Sequence, residues 1–318
     1  LNFFSITSSA SRLGRVNNRF SWDGDHVFDG SGAYAIPFPH TQPLSKQNLK
    51  FWEQGLASCV PLAAFVANLL IFTTAWAFCV KIKNFSPVDA FWAFCIGLTA
   101  LFFLLVQSPN PKQITASILI GAWALRLGYH LAKRIAKHHP EEDSRYIKLR
   151  KVWDGKVNSM FLLFFLGQAV SVFLLAFPFQ LIAADPDPTF DTLSIIGVIV
   201  TVIGLIGETI ADKQMSAFKT EDPSPKSICK KGLWKYSRHP NYFFESVIWT
   251  GFFIFALGSP WGWTAIYAPA IITFLLLKVT GIPPTEASAL KRKGDAYREY
   301  QRTTSPFIPL PPKKGTAI

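Results

Sequence analysis

Gly232-Leu233-Trp234-Lys235-Tyr236-Ser237-Arg238-His239-Pro240-Asn241-Tyr242-Phe243-Phe244-Glu245 is the stretch whose reading decides the fold. It carries a basic loop into an apolar run that continues through Leu257. Pro240 has no backbone donor and a fixed φ, so it suits the first turn of a helix beginning there. Asn241 and Glu245, four apart, share one face of that helix, with Tyr242 beside them. An amide and a carboxylate therefore stand where a loop enters a long apolar helix, next to Arg238 and His239. In a bilayer such groups need partners or a wet cavity, so this junction is the first candidate for a functional pocket.

Working outward, the apolar run is one of many. Half of the 318 residues are hydrophobic and only 16% are charged, against ~25% in soluble domains. A spanning helix needs ~20 mostly apolar residues. Seven stretches qualify: 56–80, 86–107, 113–132, 159–184, 192–211, 240–258 and 261–280. The expected fold is all-α, a multi-pass membrane helix bundle of about seven transmembrane helices. Residues 1–55 form a polar N-terminal extension and 56–318 the transmembrane domain.

The formal net charge of +12 could suggest nucleic acid, but its distribution argues against that partner. With seven spans the loops alternate between two sides. One side holds Lys81 and Lys83, eight Lys/Arg in 133–156, seven in 213–238 and eight from Lys278 onward. The loops of the other side hold only Lys112. This is the positive-inside pattern, and it places the C-terminus on the inner, basic face. Arg12, Arg15 and Arg19 in an acid-free, Ser-rich leader resemble an organellar transit segment. An organellar inner membrane, mitochondrial or plastid, is expected rather than the endoplasmic reticulum. The extension is also a candidate for docking onto other membrane subunits. Cys59, Cys79, Cys95 and Cys229 have no metal-ligand or disulfide spacing.

Two further groups break the apolar pattern. Arg126 and Tyr129 lie inside the third run, more than a turn from its end for the arginine, which therefore needs a partner or a wet cavity. In the fifth run Gly197, Gly204 and Gly207 permit close helix approach. Glu208 and Asp212 follow, four apart on one face, then Gln214 and Lys219. Two acids at a helix end repel each other unless cations or donors intervene. The expected cluster therefore joins Glu208, Asp212, Lys219, Arg238, His239, Asn241, Tyr242 and Glu245. The loop 137–158 reads as amphipathic helix on the inner surface, and 286–300 as one charged helix.

Several of these pieces resemble the C-terminal domain of the steroid 5-alpha-reductase family, in its branch of reductase-like bacterial and plant membrane proteins. They are Glu208-Thr-Ile-Ala-Asp212-Lys-Gln214 with Phe218-Lys219, the stretch Gly232 to Tyr242, Gly281-Ile-Pro-Pro-Thr-Glu286, and Tyr297-Arg-Glu-Tyr300 with Phe307-Ile-Pro. The likeness covers roughly 60–315. It implies a helix bundle holding NADPH among its C-terminal helices and passing a hydride to the β-carbon of an α,β-unsaturated ketone in a lipid or steroid-like substrate. Lys219 and Arg238 would meet phosphates. Asp212, Asn241 and Glu245 would meet ribose hydroxyls and the carboxamide. Glu208, His239, Tyr242 and Tyr300 would complete the cofactor site, and Tyr129 would polarise the ketone. Arg-His-Pro-x-Tyr also occurs in membrane methyltransferases that use S-adenosylmethionine, so that activity is one alternative. A non-catalytic integral subunit of a larger membrane complex is another. The chain departs from the reductase-like branch at Phe244, where glycine is usual, and in the loop at Pro225 and Ser227. Phe244 is expected to fill volume at the cofactor pocket.

Overall fold

The computed structural model describes residues 46–106, 109–185, 187 and 189–313, with side chains from Cys59 onward. Residues 1–45 of the expected polar extension, with its transit-like arginines, lie outside the described residues, and 46–55 belong to the first helix. Ten α-helices are present among those described: α1 (Lys46–Lys81), α2 (Val88–Leu105), α3 (Pro111–His138), α4 (Ser144–Val152), α5 (Val157–Ala183), α6 (Thr192–Glu221), α7 (Pro240–Ala256), α8 (Tyr267–Phe274), α9 (Ile282–Lys293) and α10 (Asp295–Thr303). The expectation of a helical membrane bundle holds. Among the described residues six stretches are long and apolar enough to cross a bilayer: Cys59–Lys81, Val88–Leu105, Pro111–His138, Val157–Ala183, Thr192–Glu221 and Gly262–Lys293.

The expected span 240–258, which is not among these six, is α7, and it has 17 residues. At 1.5 Å per residue that is about 25 Å, shorter than a hydrocarbon core of ~30 Å. It nevertheless runs antiparallel to α6 along most of the apolar length of that helix. Phe255 crosses at Gly197, Ile248 at Gly204 and Phe244 at Gly207, and none of these glycines has room for a Cβ. The glycines expected to allow close approach therefore do so against one neighbour. Phe244 seats its ring on Gly207, on the α7 face toward α6, about a quarter-turn from the face of Asn241 and Glu245. The volume of its ring is thus taken up in packing α7 against α6.

Capping residues set the helix starts. Asn110 accepts the Gln113 N–H at 2.9 Å while the Gln113 side chain accepts the Asn110 N–H at 3.0 Å, a reciprocal cap on α3. Asp191 accepts from Ser194 N at 2.6 Å to open α6. Between those two starts, buried Lys112 donates to Asp185 at 2.6 Å and ties α3 to the end of α5. Aromatic packing fills the interior, with Phe85 stacked on Phe161 at 3.7 Å and Trp123 edge-on to Trp249 at 5.3 Å.

Two expected elements differ. The loop 137–158 holds a shorter helix, α4, because its cap is Asp143 rather than an earlier residue. Asp89 of α2 anchors α4 by accepting from the Tyr146 hydroxyl at 2.6 Å and from Arg145 at 2.5 Å. Burial pushes the Asp143 carboxyl up, but side-chain and backbone hydrogen bonds from Arg145 prevail and hold it below the ordinary carboxylate range. The single helix expected over 286–300 is two, α9 and α10. They break at Gly294, whose φ of 56° and ψ of −133° suit only glycine. The last membrane stretch is also discontinuous, passing from 3-10 turns (Gly262–Ile266) through α8 to a π-turn at Leu275–Val279.

Candidate functional site at the α3, α6 and α7 junction

Arg126 projects from α3 onto α6. Its Nη1 lies 2.7 Å from Glu208 Oε2, as an ion pair without hydrogen-bond alignment, and its Nη2 donates to Asp212. One guanidinium thus stands between the two acids, as their mutual repulsion requires. From α7, Glu245 enters the same junction. Its carboxylate accepts Trp123 Nε1 at 3.0 Å and Trp249 Nε1 at 2.9 Å, so α3 and α7 clamp it from two sides. Glu208 and Glu245 are buried neighbours. Three carboxylates and one guanidinium therefore meet where three helices converge. Asn241 lies one turn before Glu245 on α7, and its buried Oδ1 has no hydrogen-bond partner among the described residues.

Arg238, His239, Tyr242 and Tyr300, expected beside the cofactor, are engaged elsewhere. Arg238 Nε donates to Glu286 Oε1 at 2.6 Å, and its Nη1 donates to the carbonyls of Gln301 and Thr304. His239 Nε2 lies 3.3 Å from the same Glu286 oxygen, with its ring stacked on Tyr242 at 5.2 Å. The Tyr242 hydroxyl reaches Thr285 Oγ1 at 3.4 Å. Tyr300 donates to the Trp234 carbonyl, and burial pushes its phenol well above the ordinary range. The tail continues the clasp: Ser237 Oγ donates to Phe307 O at 2.7 Å and Leu310 N to Tyr236 O at 3.0 Å. These four residues hold α9, α10 and the tail onto the start of α7. Tyr242 follows Asn241 directly and precedes Glu245 by about one turn, so clasp and acid junction adjoin along the first turns of α7.

Two expected residues face outward. Tyr129 is 65% exposed on α3, one turn beyond Arg126, with Lys133 Nζ 5.9 Å from its ring centroid. Lys219 is exposed on the last turns of α6. Trp123 and Glu286 were not anticipated as site residues. A tryptophan in an apolar run reads as core, and Glu286 gains meaning only once α9 is seen beside Arg238.

The fold and the junction invite comparison with known proteins. An uncharacterized protein of Schizosaccharomyces pombe (C594.04c) is 25% identical over 277 residues, covering 77% of this chain and 79% of that protein. No solved structure matches. Residues 75–304 match the family described as protein of unknown function (DUF1295), and on that extent the chain belongs to this family of membrane-embedded proteins.

Proposed function

We propose that the chain is a membrane-embedded oxidoreductase acting with NADPH on an α,β-unsaturated ketone in a lipid or steroid-like substrate. The observation that supports this most is the unpartnered, buried Asn241 Oδ1 on the same α7 face as Glu245, beside three converging carboxylates. A buried amide oxygen without a donor costs about 1–3 kcal/mol, so the position suits an incoming N–H. A nicotinamide carboxamide supplies such a donor.

The residues divide the work as follows. Asn241 would accept from the carboxamide. Glu208, Asp212 and Glu245 are acceptors for hydroxyl groups, held rigid by Arg126, Trp123 and Trp249. Exposed Lys219, with Lys230 whose Nζ lies 5.9 Å from the Tyr300 ring, offers cations for phosphates. Arg238 and His239 are already satisfied by Glu286, so in this reading they position α7 and do not touch the cofactor. When bound, the nicotinamide supplies the hydride, and the protein orients it. Tyr129, on the exposed face of α3, would meet a ketone arriving sideways from the bilayer and donate to its oxygen as negative charge develops there.

A second reading, a non-catalytic subunit of a membrane complex, is favoured by one specific observation. Four residues expected to grip the cofactor are consumed by the chain's own C-terminal segment. One titration separates the two. Purified protein in detergent should quench or enhance NADPH fluorescence saturably, and Asn241→Ala should weaken binding about tenfold, the worth of one lost hydrogen bond at ~1.4 kcal/mol. No saturable signal, together with stable co-purification of other membrane proteins, would sink the reductase in favour of the subunit. Retention of labelled S-adenosylmethionine in place of NADPH would bring forward a methyltransferase.

A further inference from the structure

Away from the acid junction, α2 and α3 are pressed together at mid-length. Gly97 meets Ala124 and Gly128 meets the Phe94 ring, with no room for a Cβ at either glycine. Toward the basic end of the bundle the two helices part, and the end of α1 approaches them. A cleft of about 620 Å³ opens there, lined by Phe78, Phe91, Phe94, Ala132, Ala136 and His139 among others. Its volume is within the ~300–1,000 Å³ of small-molecule sites, and its lining is almost wholly apolar.

The mouth has a different chemistry. Lys81 stands three residues past Phe78 on α1, and Lys137 and His138 interleave with Ala136 and His139 on α3, all exposed. The ion pairs of this face are taken by other residues. Arg134 and Arg145 share Asp89 and Asp143, and Arg150 holds Glu142. That leaves Lys81 and Lys137 without an ion-pair partner among the described residues, while His138 Nδ1 lies 2.8 Å from the Arg134 carbonyl and its Nε2 makes no hydrogen bond there. An apolar slot that begins at the level of the charged helix ends, with unspent cations at its rim, has the shape and charge of a lipid site.

We propose that this cleft holds one acyl chain of an anionic phospholipid, with its phosphate drawn to Lys81, Lys137 and His138. The slot takes the hydrocarbon, and the rim discriminates the headgroup, because each lysine at a membrane surface favours an anionic lipid about fivefold. The site is separate from the acid junction, so it stands or falls apart from the reductase reading.

The test uses the full chain, delipidated in detergent and offered an equimolar mixture of phosphatidylglycerol and phosphatidylcholine. Bound lipid is counted by mass spectrometry after chromatography. The expected result is retention of phosphatidylglycerol over phosphatidylcholine. Lys81→Gln and Lys137→Gln, both at exposed positions, should each lower that preference about fivefold with an unchanged thermal midpoint. Ala136→Trp should displace both lipids. Equal retention of the two lipids, or a preference untouched by both lysine substitutions, overturns the proposal. So does a photo-crosslinker at Ala136 that captures a second copy or the chain's own N-terminal segment instead of lipid.

Discussion

Arg126 shows what a single charge does at depth. Removing one partner of a buried pair typically costs about 3–5 kcal/mol, because the other charge is left uncompensated. With Glu208 and Asp212 both on its guanidinium, Arg126→Met should lower stability by about that amount, measured as loss of folded protein under denaturant in detergent. Adding Glu208→Gln and Asp212→Asn should return most of it, and failure of this rescue would mean that the arginine acts through packing. Much of this was legible in the sequence. An arginine inside an apolar run demands a partner, and acids at i and i+4 on another run share a face that can supply one. The indole clamp on Glu245 was not legible, since the sequence does not say that Trp123, the one tryptophan of α3, turns toward α7 rather than toward lipid. Nor was the seat of Phe244. The glycine that admits its ring, Gly207, belongs to a different helix.

At the scale of elements, α4 depends on its cap. Asp143 both caps the helix and pairs with Arg145, and its carboxyl is held below the ordinary range. A group with a depressed folded-state pKa contributes fully above its unfolded value and loses that contribution as pH falls through the folded one. The thermal midpoint of Asp143→Asn should therefore lie below that of the wild-type protein near neutrality, and the gap should close as the pH drops below about 4. A gap that persists in acid would show that the carboxylate charge is not what anchors α4. Element existence was largely readable here, and element boundaries were not. The shortened α4 follows from the cap at Asp143. The division of 286–300 into two helices follows from a backbone geometry at Gly294 that sequence period cannot reveal.

For the whole molecule, apolar run length set the architecture, and the basic loops set an expected orientation. The end of the bundle away from those loops exposes Trp261 and Trp263, and such rings favour the membrane–water boundary. Cysteine-specific labelling checks the orientation. A membrane-impermeant reagent should reach Ser224→Cys from the inner, basic side alone and Trp261→Cys from the opposite side alone. Labelling of both positions from one side would overturn the alternation of loops. The count of spans was less legible. Composition marks α7 as apolar beyond Glu245 but does not show that it stops at 17 residues against α6.

The clasp on Arg238 also fixes an order of events during biosynthesis. Its guanidinium is almost fully enclosed, yet its acceptors are Glu286 and the carbonyls of Gln301 and Thr304, which the ribosome makes long afterwards. Until those residues emerge, the nascent polypeptide holds a cation whose intended shelter does not yet exist. A premature stop before Thr304 would leave that debt outstanding, and quality-control proteolysis would claim the product although every bilayer-crossing segment had been completed.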